Sequence, residues 1–193
     1  MDIYDVVIVG GGPAGLRCAE ILSQSDKRVL LLEKTGSFGD KLCAGGLTLK
    51  DTGVMHLPDS IIEHKISRTS LHSRHFSTNA EAPEPFLFTV DRRELGNYQR
   101  TLLEGTDVEV RTHAQVTEVT ADHVGLKSGE TIGYKYLVGA EGYNSIVRKY
   151  LGLKVEKKLI GFQYTLAVEE VDPKLHIFLA LSPSRQHCCR VLL

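Results

Sequence analysis

The sequence predicts an α/β fold built on a parallel sheet, and three observations support this. The apolar run Ile3 to Val9 leads into Gly10-Gly11-Gly12-Pro13-Ala14-Gly15 and a helix-like segment, and a second run ending at Val138 leads into Gly139-Ala140-Glu141-Gly142 and another helix. Between them lie short stretches of alternating polarity broken by Pro83 and Pro85, the pattern of antiparallel strands. A strand, glycine turn and helix occurring twice are read as a Rossmann-like domain, and the alternating part as an inserted, mainly antiparallel β domain.

A βαβ unit comes first, with a strand near 3–9, a helix near 13–25 and a strand near 29–33. Pro13 suits the first helical position, where its missing N–H has no intrahelical partner. A glycine-bearing loop, 36–46, follows. From Ile61 to Val90, segments such as Ser67 to His72 and Phe86 to Val90 are expected as antiparallel strands. Asp91 is placed to cap a helix from Arg92 to Glu104, with Leu95, Tyr98, Leu102 and Leu103 near helical spacing. A meander is expected over 108–113, 116–120, 123–127 and 131–138, with Ser128-Gly129 as a hairpin turn. A helix over 145–151 and strands over 160–168 and 174–181 complete the reading. The expected domains are discontinuous: 1–55 with 91–155 for the nucleotide, and 56–90 with 156–193 for a partial substrate layer.

The chemistry of the first motif follows from how closely a backbone must approach a pyrophosphate. Gly10 makes the tight turn, Gly12 lacks the Cβ that would hold phosphate oxygens away, and Gly15 lets the helix pack against the strand. The first N–H groups of the helix then face the negative charge. The run Val29 to Leu32 ends in Glu33, where a carboxylate accepts hydrogen bonds from ribose hydroxyls. One such motif suggests a dinucleotide; the pair, with Glu141 and Gly142 in the second, points to FAD.

Composition is that of a globular enzyme. Of 193 residues, 42% are hydrophobic, which is enough for a packed core, and the net charge of −1 offers no basic surface for nucleic acid. No apolar run reaches the roughly twenty residues of a spanning helix, and the start Met1-Asp2-Ile3-Tyr4-Asp5 has no basic signal region. A cytoplasmic protein is expected, with Cys18, Cys43, Cys188 and Cys189 as reduced thiols. His72 and His75 have no partners at zinc spacing, so no metal is expected. Ser145 reads as a helix cap rather than a nucleophile.

Three segments resemble the geranylgeranyl reductase family of flavoproteins, which shares the para-hydroxybenzoate hydroxylase fold. They are the first glycine motif with Glu33, the loop Lys41-Leu42-Cys43-Ala44-Gly45-Gly46-Leu47, and Gly139 to Arg148. The likeness runs to about residue 178, and the Cys-x-Gly-Gly loop is what separates the reductases from the hydroxylases. The resemblance implies FAD as cofactor, held by Gly10, Gly12, Pro13, Ala14, Gly15, Glu33, Lys34, Cys43, Ala44, Gly45, Gly46, Arg92, Glu141 and Gly142. Arg92 enters through Val90-Asp91-Arg92, similar to a segment whose arginine lies by the FAD.

The activity implied is reduction of isoprenoid C=C bonds in prenyl lipids by flavin hydride transfer. The electron donor would be NAD(P)H or a ferredoxin-like carrier, and membrane contact at most peripheral. Cys43 is the candidate catalytic residue, a proton donor beside the flavin, with a small packing residue as the other reading. Two departures stand out. Glu141 occupies the family's aspartate position, carrying its carboxylate about 1.5 Å further. The family's later Y-x-W-x-F-P signature and third FAD motif do not follow, so the chain is expected to be C-terminally truncated. A flavin monooxygenase and a catalytically incomplete FAD-binding fragment remain the alternatives.

Overall fold

In the computed structural model, which describes residues 1–155, 163–164, 172–181 and 187–192, the two apolar runs lie side by side. β1 (Asp2–Val9) and β11 (Thr131–Gly139) are parallel neighbours, aligned so that Val9 lies opposite Gly139. Both glycine turns therefore leave the same edge of one sheet.

The chain divides into two compact units, 1–40 with 93–160 and 41–92 with 161–193. The first unit holds β1, α1 (Pro13–Leu22), β2 (Val29–Leu32), most of α3 (Arg92–Thr101), β8 (Glu109–Arg111), β9 (Val116–Val119), β10 (His123–Leu126), β11 and α4 (Ile146–Tyr150). Its six-stranded sheet has the order β8-β2-β1-β11-β10-β9. The pairs among β8, β2, β1 and β11 are parallel, and β10 pairs antiparallel with β11 and β9.

β2 reads Val29-Leu30-Leu31-Leu32 without polar interruption because both of its faces are covered. Val29 and Leu31 pack with Val6, Ile8, Leu16, Ala19, Phe38 and Leu103 on one face. Leu30 and Leu32 pack with Tyr4, Val7, Val9, Val124, Ile132 and Val147 on the other. The expected hairpin turn is present: Gly129 takes φ 91°, and its N–H bonds the Leu126 carbonyl at 3.0 Å.

Several elements differ from expectation, each for a local reason. Helix α1 stops at Leu22 rather than residue 25, where the Ser23 and Ser25 hydroxyls turn back onto the carbonyls of Glu20 and Leu22. α3 likewise ends at Thr101, and the chain goes on in i→i+3 bonds from Leu103 to Arg100 and Glu104 to Thr101. β8 belongs to no meander. It follows a helix and so returns parallel to β2.

The second unit contains β3 (Gly46–Thr48), α2 (Leu49–Met55), β4 (His64–Ile66), β5 (Arg68–His72), β6 (Ser77–Glu81), β7 (Leu87–Thr89), β12 (Lys174–Leu181) and β13 (His187–Leu192). They form two sheets, β3-β7-β4 and β13-β12-β5-β6. Residues 41–55, expected with the nucleotide-binding unit, group here because β3 pairs antiparallel with β7. The loop expected to run to residue 46 gives way directly to β3 and α2, whose start is a capping box. The Thr48 hydroxyl accepts from the Asp51 N–H while the Asp51 carboxylate accepts from the Thr48 N–H. His72 lies on β5, its Nδ1 3.0 Å from Ser77 Oγ and its Nε2 3.1 Å from His176 Nδ1. The strand expected over 160–168 falls largely outside the described residues.

The β1–β8 end of the first sheet carries a polar network. Tyr4 donates its hydroxyl to Glu109 at 2.6 Å, and Arg111 bonds Glu109 and Glu130, each at 2.7 Å. The Tyr4 hydroxyl holds the Glu109 carboxyl below the ordinary glutamate value of 4.5, with Arg111 adding to the effect. A lowered folded-state value means that this contribution to stability is present above pH 4.5 and is lost as the pH falls through the folded value. Acid titration of the Glu109→Gln variant, followed by circular dichroism, is expected to show a shallower loss of stability between roughly pH 5 and 3 than the parent.

Candidate functional site

The end of β1 is a turn that only glycine can make. Gly10 takes φ 106°, and a Cβ there would lie 2.6 Å from the Ala140 carbonyl oxygen. Ala140 belongs to the second glycine motif and donates its N–H to Val9 at 2.8 Å, so the two motifs are in backbone contact. A Cβ at Gly15 would lie 1.9 Å from the Gly10 carbonyl oxygen, which shows how tightly α1 is drawn onto the turn.

Gly12 is different. It is the N-cap of α1 with φ −74° and ψ 177°, an ordinary extended conformation, and the nearest atom to a Cβ there would be 4.0 Å away. The space beside Gly12 is therefore open where that beside Gly10 and Gly15 is filled. No side chain caps α1, and Pro13 stands at its first position. With Ala14 exposed, the helix start offers N–H groups and the positive end of its dipole to an anion.

Glu33 follows directly on β2 beside this turn. Its Oε2 accepts from the Gly11 N–H at 2.6 Å, and its Oε1 accepts from the Thr35 N–H at 2.9 Å and the Thr35 hydroxyl at 2.8 Å. A carboxylate has about four acceptor positions. Three are used within the chain, leaving room for one donor such as a ribose hydroxyl. Lys34, the next residue, is exposed.

In the second motif Gly142 takes φ 73° and opens a short 3-10 turn, 142–144, ahead of α4. The Glu141 carboxylate turns onto the start of α4, accepting from the N–H groups of Ile146 at 2.7 Å and Val147 at 3.2 Å and from the Ser145 hydroxyl. Ser145 in turn accepts from the Arg148 N–H at 2.9 Å, the cap expected of it. The extra methylene of Glu141 thus lets its carboxylate hold the helix that follows the motif.

In the second unit, Gly45 takes φ 73°, and a Cβ there would lie 2.1 Å from the Val90 carbonyl oxygen. The Val90 N–H donates to the Gly45 carbonyl at 3.1 Å, and Gly46 pairs with Thr89. The Cys-x-Gly-Gly loop is therefore fastened to β7, and Cys43 and Ala44, just ahead of the fastening, are exposed. Arg92 opens α3, its Nε buried and without a hydrogen-bond partner among the described residues.

The sequence-predicted residues thus fall into two groups: Gly10 to Gly15, Glu33, Lys34, Glu141 and Gly142 in one unit, and Cys43 to Gly46 with Arg92 in the other. Two residues were missed. Phe38 is 8% exposed, with its ring 2.7 Å from where a Gly11 Cβ would be, and the loop around it gave no periodic signal. Gln99 is 2% exposed on α3. It lies four residues from Leu95 on the helix and four from Leu103 just past its end, both buried. Among the described residues, no group of three or more metal-ligating side chains occurs, and no helix is long and apolar enough to cross a membrane.

The profile of a family described as FAD binding domain matches residues 3–174. A digeranylgeranylglycerophospholipid reductase of Methanosarcina acetivorans is 29% identical over 90% of this chain and 47% of its own length. A 3-(3-hydroxy-phenyl)propionate/3-hydroxycinnamic acid hydroxylase of Paraburkholderia xenovorans is 30% identical over 97% of this chain and 34% of its own. The crystal structure of a geranylgeranyl bacteriochlorophyll reductase-like protein from Thermoplasma acidophilum superposes with a TM-score of 0.72 at 18% identity, covering 93% of this chain and 51% of that one. The chain spans about half the length, or less, of these relatives.

Proposed function

The chain belongs to the FAD binding domain family, and on that premise we propose that it is the FAD-binding part of an oxidoreductase that saturates C=C bonds of geranylgeranyl or related prenyl groups. The observation that carries this reading is the Cys43-Ala44-Gly45-Gly46 loop, fastened to β7 with its thiol exposed. The reductase likeness of the methanogen and Thermoplasma proteins supports it.

Bound and reduced, FAD supplies a hydride. Gly12 would admit the pyrophosphate to the amide groups of Ala14 and Gly15, and Glu33 would hold the adenosine ribose through its remaining acceptor position. An isolated alkene has no carbonyl to hold developing charge, so orientation and a placed acid carry the remaining work. Cys43 is the acid we assign: its Sγ–H would supply the proton taken up by the alkene, and the thiolate would recover its proton from solvent. Arg92, whose Nε has no hydrogen-bond partner among the described residues, would be a donor for the cofactor. The electron donor would be NAD(P)H or a ferredoxin-like carrier, and membrane contact at most peripheral.

The hydroxylase relative favours a second reading, a flavin monooxygenase. Anaerobic incubation of the chemically reduced, FAD-loaded protein with a geranylgeranyl lipid separates the two by mass spectrometry. Reduction adds two hydrogens per double bond, and Cys43→Ser should lower that rate by about 10²-fold or more while FAD affinity changes far less. In a parallel aerobic incubation, oxygen uptake with a hydroxylated product would establish the second reading. Neither product, with FAD bound, would leave an FAD-binding module without turnover.

A further inference from the structure

Gln99 is a polar side chain on the buried face of α3 with Leu95 and Gly96, and it is 2% exposed. Its Nε2 donates to the Pro13 carbonyl oxygen at 3.2 Å, and its Oε1, also buried, has no hydrogen-bond partner among the described residues. The orientation of the amide is fixed by chemistry: a carbonyl oxygen can only accept, so the NH2 group must face Pro13. The orphaned oxygen is the consequence. A leucine of similar volume would give up the bond to the Pro13 carbonyl but would also remove the unmet buried acceptor, and the second effect is the larger.

A residue that breaks the packing rule of its own helix at a cost marks a site where something else is gained. Pro13 is the first residue of α1, and that helix start has no side-chain cap. Besides the bonds of the helix itself, the Leu16 N–H to Gly12 carbonyl bond at 2.9 Å ties its first turn and Gln99 adds a bond from outside the helix. Helix ends without caps fray, and fraying here would turn the Ala14 and Gly15 N–H groups away from the open space beside Gly12.

We propose that Gln99 is a positioning residue for the dinucleotide turn, acting through Pro13 to keep the first turn of α1 aimed at the pyrophosphate. This rests on the FAD reading above. It assigns a role to a residue that touches no cofactor and that motif reasoning passes over.

The test compares the parent with Gln99→Leu and, as a second shape, Gln99→Met. Three quantities are read: melting temperature, FAD affinity by fluorescence titration, and amide hydrogen exchange at Gly15 and Leu16 in the cofactor-free chain. The expected result is a melting temperature equal to or above that of the parent, FAD binding roughly threefold to tenfold weaker, the factor one ordinary hydrogen bond supplies, and faster exchange at the two amides. Unchanged affinity and exchange would overturn the proposal, as would a fall in melting temperature that accompanies the affinity loss in both variants, because Gln99 would then be structural. If the folded parent itself fails to bind FAD, the cofactor reading fails, and the exchange rates still decide whether Gln99 positions the turn.

Discussion

Gly12→Ala is expected to leave the cofactor-free protein folded and to weaken FAD binding by at least about tenfold, the equivalent of 1.4 kcal/mol. The backbone there is ordinary for alanine, with φ −74° and ψ 177°, and the nearest atom to the new Cβ is 4.0 Å away. Alanine is a poorer N-cap than glycine, but it also restricts the unfolded chain, and the two effects leave stability within about 1 kcal/mol of the parent. The methyl group would stand in the space through which a pyrophosphate reaches the amides of α1. Circular dichroism paired with flavin titration reads both parts. A variant that binds FAD as the parent does would show that the cofactor does not approach at Gly12.

The largest expected loss of stability is at Gly15. An alanine Cβ would be 1.9 Å from the Gly10 carbonyl oxygen, 3.1 Å from its carbon and 3.3 Å from the Ala140 Cβ. Backbone atoms cannot move aside as a side-chain tip can, so α1 must separate from the turn. That costs about 3 kcal/mol or more, or roughly 6–12 °C in melting temperature for a chain of this size. Gly53→Ala is the matched control. Gly53 lies within α2 with nothing within 4 Å of a Cβ, so the same substitution should stabilise by about 0.5–1 kcal/mol. Thermal unfolding of both variants checks the contrast, and a Gly15→Ala cost below about 1 kcal/mol would mean that α1 is not packed as described.

The nucleotide-binding βαβ unit was legible because its signals are local and redundant. An unbroken apolar strand, glycines at fixed spacing, Pro13 and the acid after Val29 to Leu32 all state the same geometry. The pairing of the two glycine motifs was legible too, since parallel strands that end in glycine turns share an edge, as Val9 and Gly139 do.

What the sequence hid was settled by partners distant in the chain or by competing local bonds. β8 looks like one strand of a meander, yet its direction depends on the helix before it. The Thr48 to Asp51 capping box was present as a signal but lay behind a glycine-rich stretch that reads as loop, and Gly53 weakens the helical pattern after it. Helix α1 ended early because two serine hydroxyls turned onto carbonyls. The bonds from the Ile146 and Val147 N–H groups to Glu141 were also hidden, since they depend on where α4 begins. Gln99 could have been found by asking which residue four from both Leu95 and Leu103 was polar.

The account depends most on FAD lying against the opening turn of α1, and equilibrium titration of the purified chain with FAD tests that most directly. One FAD per chain should bind, with quenched flavin fluorescence, and Gly12→Ala should shift the curve to higher concentration by at least about tenfold. A chain that is folded by circular dichroism and melts cooperatively, yet leaves flavin fluorescence unchanged at saturating concentrations, would contradict it.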